Sequence, residues 1–170
     1  GVRDVHVVER LISHKIIEEC MIAANVEAAK KVAKARIPSL YRVHDGPDPD
    51  KIEEITLFLR SLGLKLSSPN DVKPRDLSRI IEKTEGQPEG QIVETVILKC
   101  MSRAQYQPRN VGHFGLALPS YCHFTSPIRR YPDLLIHRAL KQLICHGKAK
   151  GFRYTLPDME KLGELCSRAE

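Results

Sequence analysis

Two adjacent arginines, Arg129 and Arg130, follow Thr125-Ser126-Pro127 at the predicted start of a helix. A hydroxyl residue commonly caps the first free amides, and proline suits the first helical position. A cation in the first turn of a helix costs roughly 0.3–1 kcal/mol, so two arginines there suggest that an anion binds. Free amides, hydroxyls and guanidiniums together could hold a phosphate. The alternative is an ion pair, with Asp133 the nearest carboxylate in sequence, and the residues alone leave both possibilities open.

A second pair of interest is Glu18 and Asn25, which lie seven residues apart in a predicted helix. That spacing puts them on one face after two turns, and the intervening residues Met21 to Ala24 are apolar. An enclosed carboxylate beside an amide could hold sugar hydroxyls or a cation. The alternative is that Glu18 and Glu19 are simply solvated, and the residues alone favour solvation.

Metal-binding patterns are weak. The acidic run DGPDPD at residues 45–50 lacks the pattern of a calcium loop, and turn and capping chemistry explain it. The histidines also lack metal-ligand spacing: His44, His113, His123 and His137. His113 lies between glycines, which favours a hydrogen-bonded structural histidine. The sequence therefore predicts no metal site.

The elements that would position these residues are mainly helical. The patterns predict helices at 13–35 (Ser13 as cap, stripe Ile16, Cys20, Ala24, Ala28), from Asp48 to about Gly63, at 75–84, at 90–103, from Ser126 onward (stripe Ile128, Tyr131, Leu135, Ala139, Leu143) and at 157–170. They also predict a strand at 40–44, a strand or edge within 1–10, irregular strands and turns at 106–124, and a loop at 147–154. The predicted fold class is α+β and helix-rich.

Composition narrows the function classes. The 170 residues suffice for one domain with one core. Lys and Arg total 27 against 21 Asp and Glu, a basic excess that favours a polyanionic partner without demanding one. The scattered cysteines indicate reduced thiols, with Cys20, Cys100 and Cys145 expected in the core. Without an apolar run of about 20 residues or a secretory signal, we expect no membrane partner and a cytoplasmic location.

Four stretches resemble, in order and spacing, the ribonuclease II/R family of 3′-to-5′ exoribonucleases. They are HKIIEECMIAAN (14–25), LYRVHDGP (40–47), GHFGLAL (112–118) and HFTSPIRRYPDLLIHRAL (123–140). The last resembles the signature of the family's catalytic RNB domain, and its RRYPD form is closer to the ribonuclease R branch. The resemblance covers essentially the whole chain.

The resemblance implies an α+β RNB fold around a channel that accepts the 3′ end of single-stranded RNA. Family members release nucleoside 5′-monophosphates processively with Mg²⁺ held by aspartates, and the ribonuclease R branch can proceed through structured RNA. By resemblance, Arg129 is catalytic at the phosphate near the scissile bond, and Glu18 contacts the 3′-terminal ribose, against the solvated interpretation. The further RNA-binding residues expected are Asn25, Thr125, Ser126, Arg130, Tyr131 and His113, with weaker expectations for Arg42 and His44.

One departure from the family matters. Its metal-binding aspartates lie in an upstream motif, and no DxxxxxDxDD-like run occurs in these residues. The base-clamping aromatics are also largely upstream, and cold-shock-type and S1-type flanking domains are missing. Residues 1–170 are thus interpreted as the C-terminal portion of an RNB domain, which needs the upstream half as a partner and contributes no Mg²⁺ ligands. The alternatives are a non-catalytic RNA-binding module and a purely structural helical domain.

Overall fold

A computed structural model describes residues 11–69 and 71–170, and within them it confirms a helix-rich α+β fold. The elements are α1 (Ile12–Lys34), β1 (Tyr41–Val43), α2 (Pro49–Ser61), α3 (Pro74–Thr84), α4 (Gly90–Cys100), β2 (Gln105–Gln107), a 3-10 turn (Phe114–Leu116), α5 (Tyr131–His146) and α6 (Leu156–Arg168). The strand or edge suggested within residues 1–10 lies outside the described residues. None of the described helices is long and apolar enough to cross a membrane.

The apolar side chains form three clusters that separate the helices into two groups. Helices α2, α3 and α4 share a core of their own: Ile52, Ile55, Leu59, Leu77, Ile80, Val93 and Ile97. Helices α1 and α5 pack together with β1 through Ala28, Ala29, Val32, Val43, Ile136 and Ala139. A small cluster of Leu40, Tyr106, Leu135 and Met159 joins α6 to this second group. The second group contains the HFTSPIRRYPD segment.

The two strands form an antiparallel pair in which Arg42 faces Tyr106. Strand β2 belongs to the stretch predicted as irregular strands and turns, apart from its first residue. Helix α6 packs directly on β2, where Ser167 Oγ accepts a hydrogen bond of 2.8 Å from the Tyr106 amide. The sheet therefore ties the C-terminal helix to the segment that precedes α5.

Several predicted helix ends are confirmed. Asp48 caps α2 by accepting a hydrogen bond of 3.1 Å from the Asp50 amide, and Gly63 follows the helix with φ of 73°. Gly147, with φ of 67°, ends α5. Thr155 caps α6 through a hydrogen bond with the Asp158 amide, so α6 begins one residue earlier than predicted. Helix α4 ends at Cys100, before the predicted 103.

The predicted cap of α1 and the first half of its predicted buried stripe are wrong, whereas Ala28 of that stripe is buried. Ser13 is not the cap, because the helix begins at Ile12, where His14 Nδ1 accepts a hydrogen bond of 3.3 Å from the Leu11 amide. Ile16 and Cys20 are exposed because the described elements pack on the second half of the helix only. Of the cysteines expected in the core, Cys100 is buried and Cys145 is exposed.

The predicted start of α5 is also wrong. The helix begins at Tyr131, and Arg130 before it is extended, with φ of −125° and ψ of 117°. Both Pro127 and Pro132 suit a helix start, and the chain uses the second. Residues 126–130 instead form a separate turn, in which Ile128 is fully exposed and not part of a core stripe. The arginines therefore precede the helix, and the expected cost of cations inside its first turn does not arise.

The face of α5 that is buried differs from the predicted stripe. Tyr131 is exposed at 41%, and the core contacts come from Leu135, Ile136 and Ala139. Leu135, Ala139 and the half-buried Leu143 of the predicted stripe do pack on the core, while Ile136 was missed because the stripe was extended back to residues outside the helix.

Substitution of Gly163 tests the close approach of α6 to β2. A Cβ there would lie 2.5 Å from the Tyr106 carbonyl oxygen and 3.3 Å from Leu40 Cδ2. Alanine for glycine inside a helix normally stabilises by up to about 1 kcal/mol. Here we expect overpacking to dominate, so that Gly163→Ala lowers the free energy of unfolding by about 1–3 kcal/mol in urea titrations.

Gly46→Ala is the matched control, because its Cβ would meet only the Phe114 ring at 3.6 Å, an ordinary contact. We expect this variant to change the free energy of unfolding by less than about 0.5 kcal/mol. A Gly163→Ala variant that is more stable than the parent would contradict the described packing.

Candidate functional site

The candidate site is built on residues 121–130, an irregular segment that passes between α1 and α5. Asn25 holds it from the α1 side: Asn25 Oδ1 accepts a hydrogen bond of 2.9 Å from the Phe124 amide, and Asn25 Nδ2 donates one of 2.9 Å to the Tyr121 hydroxyl. Only 3% of Asn25 is exposed. Its amide is thus engaged inside the protein, and its predicted contact with RNA stays a prediction.

Helix α5 holds the same segment from the other side. Asp133 Oδ1 accepts hydrogen bonds from the Ser126 amide at 2.7 Å and from Arg130 Nη2 at 2.8 Å. His137 Nε2 lies 2.9 Å from the Phe124 carbonyl oxygen, and the two rings stack with centroids 4.3 Å apart. Of the two possibilities left open for the arginines, the ion pair with Asp133 therefore holds for Arg130.

Arg129 differs from its neighbour. It is exposed on the turn and, among the described residues, takes part in no ion pair. The Ser126 carbonyl accepts hydrogen bonds from the backbone amides of Arg129 at 3.3 Å and Arg130 at 3.1 Å, which closes the turn. A guanidinium in this position keeps its positive charge and its donors available to a ligand.

Next to the turn lies a basic-aromatic cluster that sequence reasoning found only in part. Arg138 donates hydrogen bonds to the hydroxyls of Tyr131 and Tyr154, and its guanidinium lies 5.8 Å and 5.9 Å from the two ring centroids. Arg153 lies 5.0 Å from the Tyr154 ring. Tyr131 was predicted as a site residue. The seven-residue spacing of Tyr131 and Arg138 on one helix face was the available signal for Arg138.

The GHFGLAL segment forms a loop anchored on His44. His44 Nδ1 accepts a hydrogen bond of 2.9 Å from the Gly115 amide, so Nε2 carries the proton that reaches the Ser102 carbonyl at 2.7 Å. A Cβ on Gly115 would lie 2.7 Å from His44 Nδ1, so the glycine permits this approach. The histidine is thereby fixed in place by two hydrogen bonds that connect the loop to Ser102.

His113 is half-buried in the same loop. Its Nδ1 accepts a hydrogen bond of 3.2 Å from the Leu116 amide, and its ring centroid lies 5.5 Å from that of Tyr121. Burial, followed by the nearby His44 and Arg42, lowers the pKa of His113 to about 4, so it is neutral at pH 7. It is a hydrogen-bonded histidine, and its predicted contact with RNA stays a prediction.

Arg42 and His123 belong to a network that fastens the end of α6. Arg42 Nη1 lies 2.5 Å from Glu170 Oε2, and its guanidinium lies 4.6 Å from the Tyr106 ring centroid. The Tyr106 hydroxyl donates to Glu170 Oε1 at 3.2 Å and lies 2.8 Å from His123 Nδ1. Burial, reinforced by the positive charge of Arg130, lowers the pKa of His123 to about 4. Arg42 is therefore engaged with Glu170.

Ser126, Arg129 and Arg130 thus lie in one turn, with Thr125 and Tyr131 next to it in the chain, and Asn25 binds the segment just before it. Glu18 lies two turns earlier than Asn25 on α1 and is half-buried. The predicted enclosed face therefore exists around Asn25 and only partly around Glu18. The role of Glu18 at a ribose stays a prediction.

The magnesium ligands that the resemblance implies are aspartates upstream of these residues. Within residues 11–69 and 71–170, no group of three or more His, Cys, Asp or Glu side chains lies where it could hold a metal ion. The buried carboxylate of the site, Asp133, is bonded to Ser126 and Arg130. Two cavities of about 770 and 750 Å³ lie along α2–α4, and of the residues expected to bind RNA only His44 lines one of them. The candidate site is therefore an open turn.

Comparison with known proteins identifies the class. The RNB domain model matches residues 1–146. Ribonuclease R of Escherichia coli (strain K12) is 45% identical over 170 residues, which is 95% of this chain and 21% of that protein. Mycoplasma genitalium RNase R in complex with double-stranded RNA has a TM-score of 0.75 at 25% identity, over 92% of this chain and 28% of that one. Yeast Ssd1, a pseudonuclease, has a TM-score of 0.79 at 25% identity, over 93% and 20%.

The chain therefore belongs to the RNB domain family. The predicted resemblance to the ribonuclease R branch is confirmed by the curated relatives. The chain spans about a fifth of the length of the curated relatives that it matches.

Removal of the Asn25 amide tests its hold on the segment. Asn25→Ala leaves the Phe124 amide and the Tyr121 hydroxyl unpaired in a buried setting, where each loss costs about 1–3 kcal/mol. We expect the free energy of unfolding to fall by about 2–4 kcal/mol, measured by urea titration.

The matched control is Asn110→Ala. Asn110 makes the same number of bonds, to the Gly112 amide and the Pro119 carbonyl at 3.1 Å each, but it is exposed. Because water replaces the lost partners, we expect a loss below about 1 kcal/mol. Equal losses for the two variants would mean that burial of Asn25 adds nothing.

Proposed function

We propose that the chain is part of a 3′-to-5′ exoribonuclease that hydrolyses single-stranded RNA processively to nucleoside 5′-monophosphates. In this proposal the chain supplies the wall of the active site that contacts phosphate and ribose. The observation that carries it is the exposed Arg129 on a turn held by buried polar side chains, in a chain 45% identical to a ribonuclease R. A cytoplasmic location, expected from the sequence, stays a prediction.

The charge distribution around the turn supports an RNA ligand. Among the described residues, Arg129, Arg138 and Arg153 form no ion pair with a carboxylate. Arg138 lies 5.8 Å from the centroid of the exposed Tyr131 ring, and Arg153 lies 5.0 Å from that of Tyr154. Guanidiniums attract phosphates, and aromatic rings stack on bases, which is how proteins bind single-stranded nucleic acid. The related Mycoplasma genitalium RNase R has been solved with double-stranded RNA, which supports RNA as the partner here.

Two side chains carry the chemistry in this proposal. The guanidinium of Arg129 would contact the phosphate at the scissile bond and stabilise the negative charge that develops there. The carboxylate of Glu18 would accept hydrogen bonds from the 3′-terminal ribose, and a hydroxyl contact of this kind distinguishes RNA from DNA. Thr125, Ser126, Tyr131 and His113 would line the path of the strand.

Magnesium belongs to the proposal only through the longer protein. Because the described residues offer no ligand cluster, we propose that upstream aspartates of the same RNB domain hold Mg²⁺. The 3′ end of single-stranded RNA and that upstream half are the proposed partners.

A non-catalytic RNA-binding module is the second candidate. The likeness to yeast Ssd1, a pseudonuclease, with a TM-score of 0.79, favours it, since this fold accommodates proteins without nuclease activity. Such a module would bind RNA in a salt-dependent manner without cleaving it.

The experiment that tests the function uses the longer protein that contains this chain. This protein is incubated with a 5′-labelled single-stranded RNA and Mg²⁺, and the RNA products are resolved at single-nucleotide steps. We expect a descending ladder, and a loss of about 10²–10³ in turnover for Arg129→Ala with RNA affinity mostly kept, because a donor to the transition state is removed. The exposed Arg109→Ala is the control and should keep full turnover.

Each other outcome has a meaning. RNA binding without a ladder would support the non-catalytic module, and the absence of both would support a structural domain. A loss below about threefold for Arg129→Ala would remove the catalytic role of that arginine. A ladder from residues 1–170 alone would contradict the proposal that the metal ligands lie upstream.

Substitution of Glu18 tests the ribose contact. In the longer protein, we expect Glu18→Ala to reduce the preference for a 3′-terminal ribose over a 3′-terminal deoxyribose, measured as the ratio of kcat/KM values on matched substrates. Glu19→Ala is the control, because Glu19 is adjacent and exposed. Unchanged discrimination in Glu18→Ala would remove Glu18 from the sugar site.

A further inference from the structure

We propose that Asp133 is a positioning residue for Arg129, acting through the turn of residues 126–130, and that Arg130 is the counter-ion of Asp133 and not a phosphate ligand. This inference rests on the proposed function, because it assigns how the arginine of that site is held.

The Asp133 carboxylate is the anchor of the turn. Asp133 is 0% exposed, and its Oδ1 accepts both the Ser126 amide at 2.7 Å and Arg130 Nη2 at 2.8 Å. The Ser126 carbonyl in turn accepts the amides of Arg129 and Arg130. The peptide groups on both sides of Ser126 are thus hydrogen-bonded: the amide to Asp133 on α5, and the carbonyl to Arg129 and Arg130. Arg129 is thus held in the turn through its backbone, and within the described residues its side chain forms no hydrogen bond or ion pair.

The strength of this anchor follows from burial. A carboxylate removed from water is strongly disfavoured unless it is paired and hydrogen-bonded, and here a charged and a neutral donor share one oxygen. Within the described residues, Asp133 Oδ2 and Arg130 Nε are buried without hydrogen bonds, so the constraint depends on Oδ1. A turn that moved the Ser126 amide or the Arg130 guanidinium away would take a donor from this buried oxygen. The buried charge therefore selects one conformation of the turn.

The two adjacent arginines consequently have different roles. The side chain of Arg130 is 20% exposed and faces the carboxylate, which neutralises its charge. The side chain of Arg129 is exposed, and the described residues provide no carboxylate to neutralise it. A guanidinium that contacts a transferring phosphoryl group requires a backbone held in a fixed position, because a misplacement of about 1 Å costs roughly 10²-fold in rate.

A double-mutant cycle in the longer protein tests this inference. We measure kcat and the Kd for single-stranded RNA in the wild type, Asp133→Asn, Arg129→Ala and the double variant. We expect Asp133→Asn to lower kcat by roughly 10- to 100-fold with less than about a threefold change in Kd. In the Arg129→Ala background, the same substitution should cost less than about threefold, because no guanidinium remains to be positioned.

The outcomes separate this inference from the proposed function. If the wild type yields a ladder but the losses in kcat of the two single variants multiply in the double variant, the positioning role is overturned and the proposed function is intact. A wild-type protein that yields no ladder would overturn the proposed function and this inference with it.

A second variant keeps the inference testable where Asp133→Asn fails to fold. Arg130→Gln removes the counter-ion, and Arg130→Lys restores a cation. We expect the glutamine variant to lose turnover, the lysine variant to recover part of it, and the salt dependence of RNA binding to stay unchanged in both. A slope of log affinity against log salt that becomes shallower by about 0.7 in Arg130→Gln would mean a lost phosphate contact, which would overturn the counter-ion role.

Discussion

The polar backbone of residues 121–130 lies between two helices and must find hydrogen-bond partners there, because a buried donor or acceptor without one is costly. This constraint organises the site. Asn25 from α1 binds the Phe124 amide, and His137 and Asp133 from α5 bind the Phe124 carbonyl and the Ser126 amide. Three polar side chains on two rigid helices thus hold an irregular segment in one conformation.

The same constraint separates residues that hold the site from residues that are available to a ligand. The polar groups of Asn25, Asp133 and Arg130 form hydrogen bonds inside the protein, whereas Arg129 on the turn is exposed. Burial also keeps His113 and His123 neutral at pH 7, since it lowers the pKa of each to about 4. Positive charge at the turn therefore comes from arginines, whose charge is independent of pH near neutrality.

The fold by itself does not determine whether this scaffold is catalytic, since chemistry depends on site residues carried by a fold. The chain shares its architecture with a ribonuclease R and with a pseudonuclease. The described residues include the whole turn that carries Arg129, but they contain no cluster of metal ligands. The first half of α1 exposes three apolar side chains, those of Ile12, Ile16 and Ile17. An exposed apolar patch of this kind is typical of a surface that packs against another part of a protein.

The sequence by itself determined the helical content, most helix ends and the motifs that place the chain in the RNB domain family, because capping residues, prolines and apolar spacing act locally. It did not determine which of Pro127 and Pro132 begins α5, since both fit the local rules. Nor did it decide between an ion pair and a free guanidinium for the two arginines. Tertiary structure decided both, because Asp133, buried beside the Ser126 amide, stabilises the turn and pairs with Arg130 while Arg129 stays exposed.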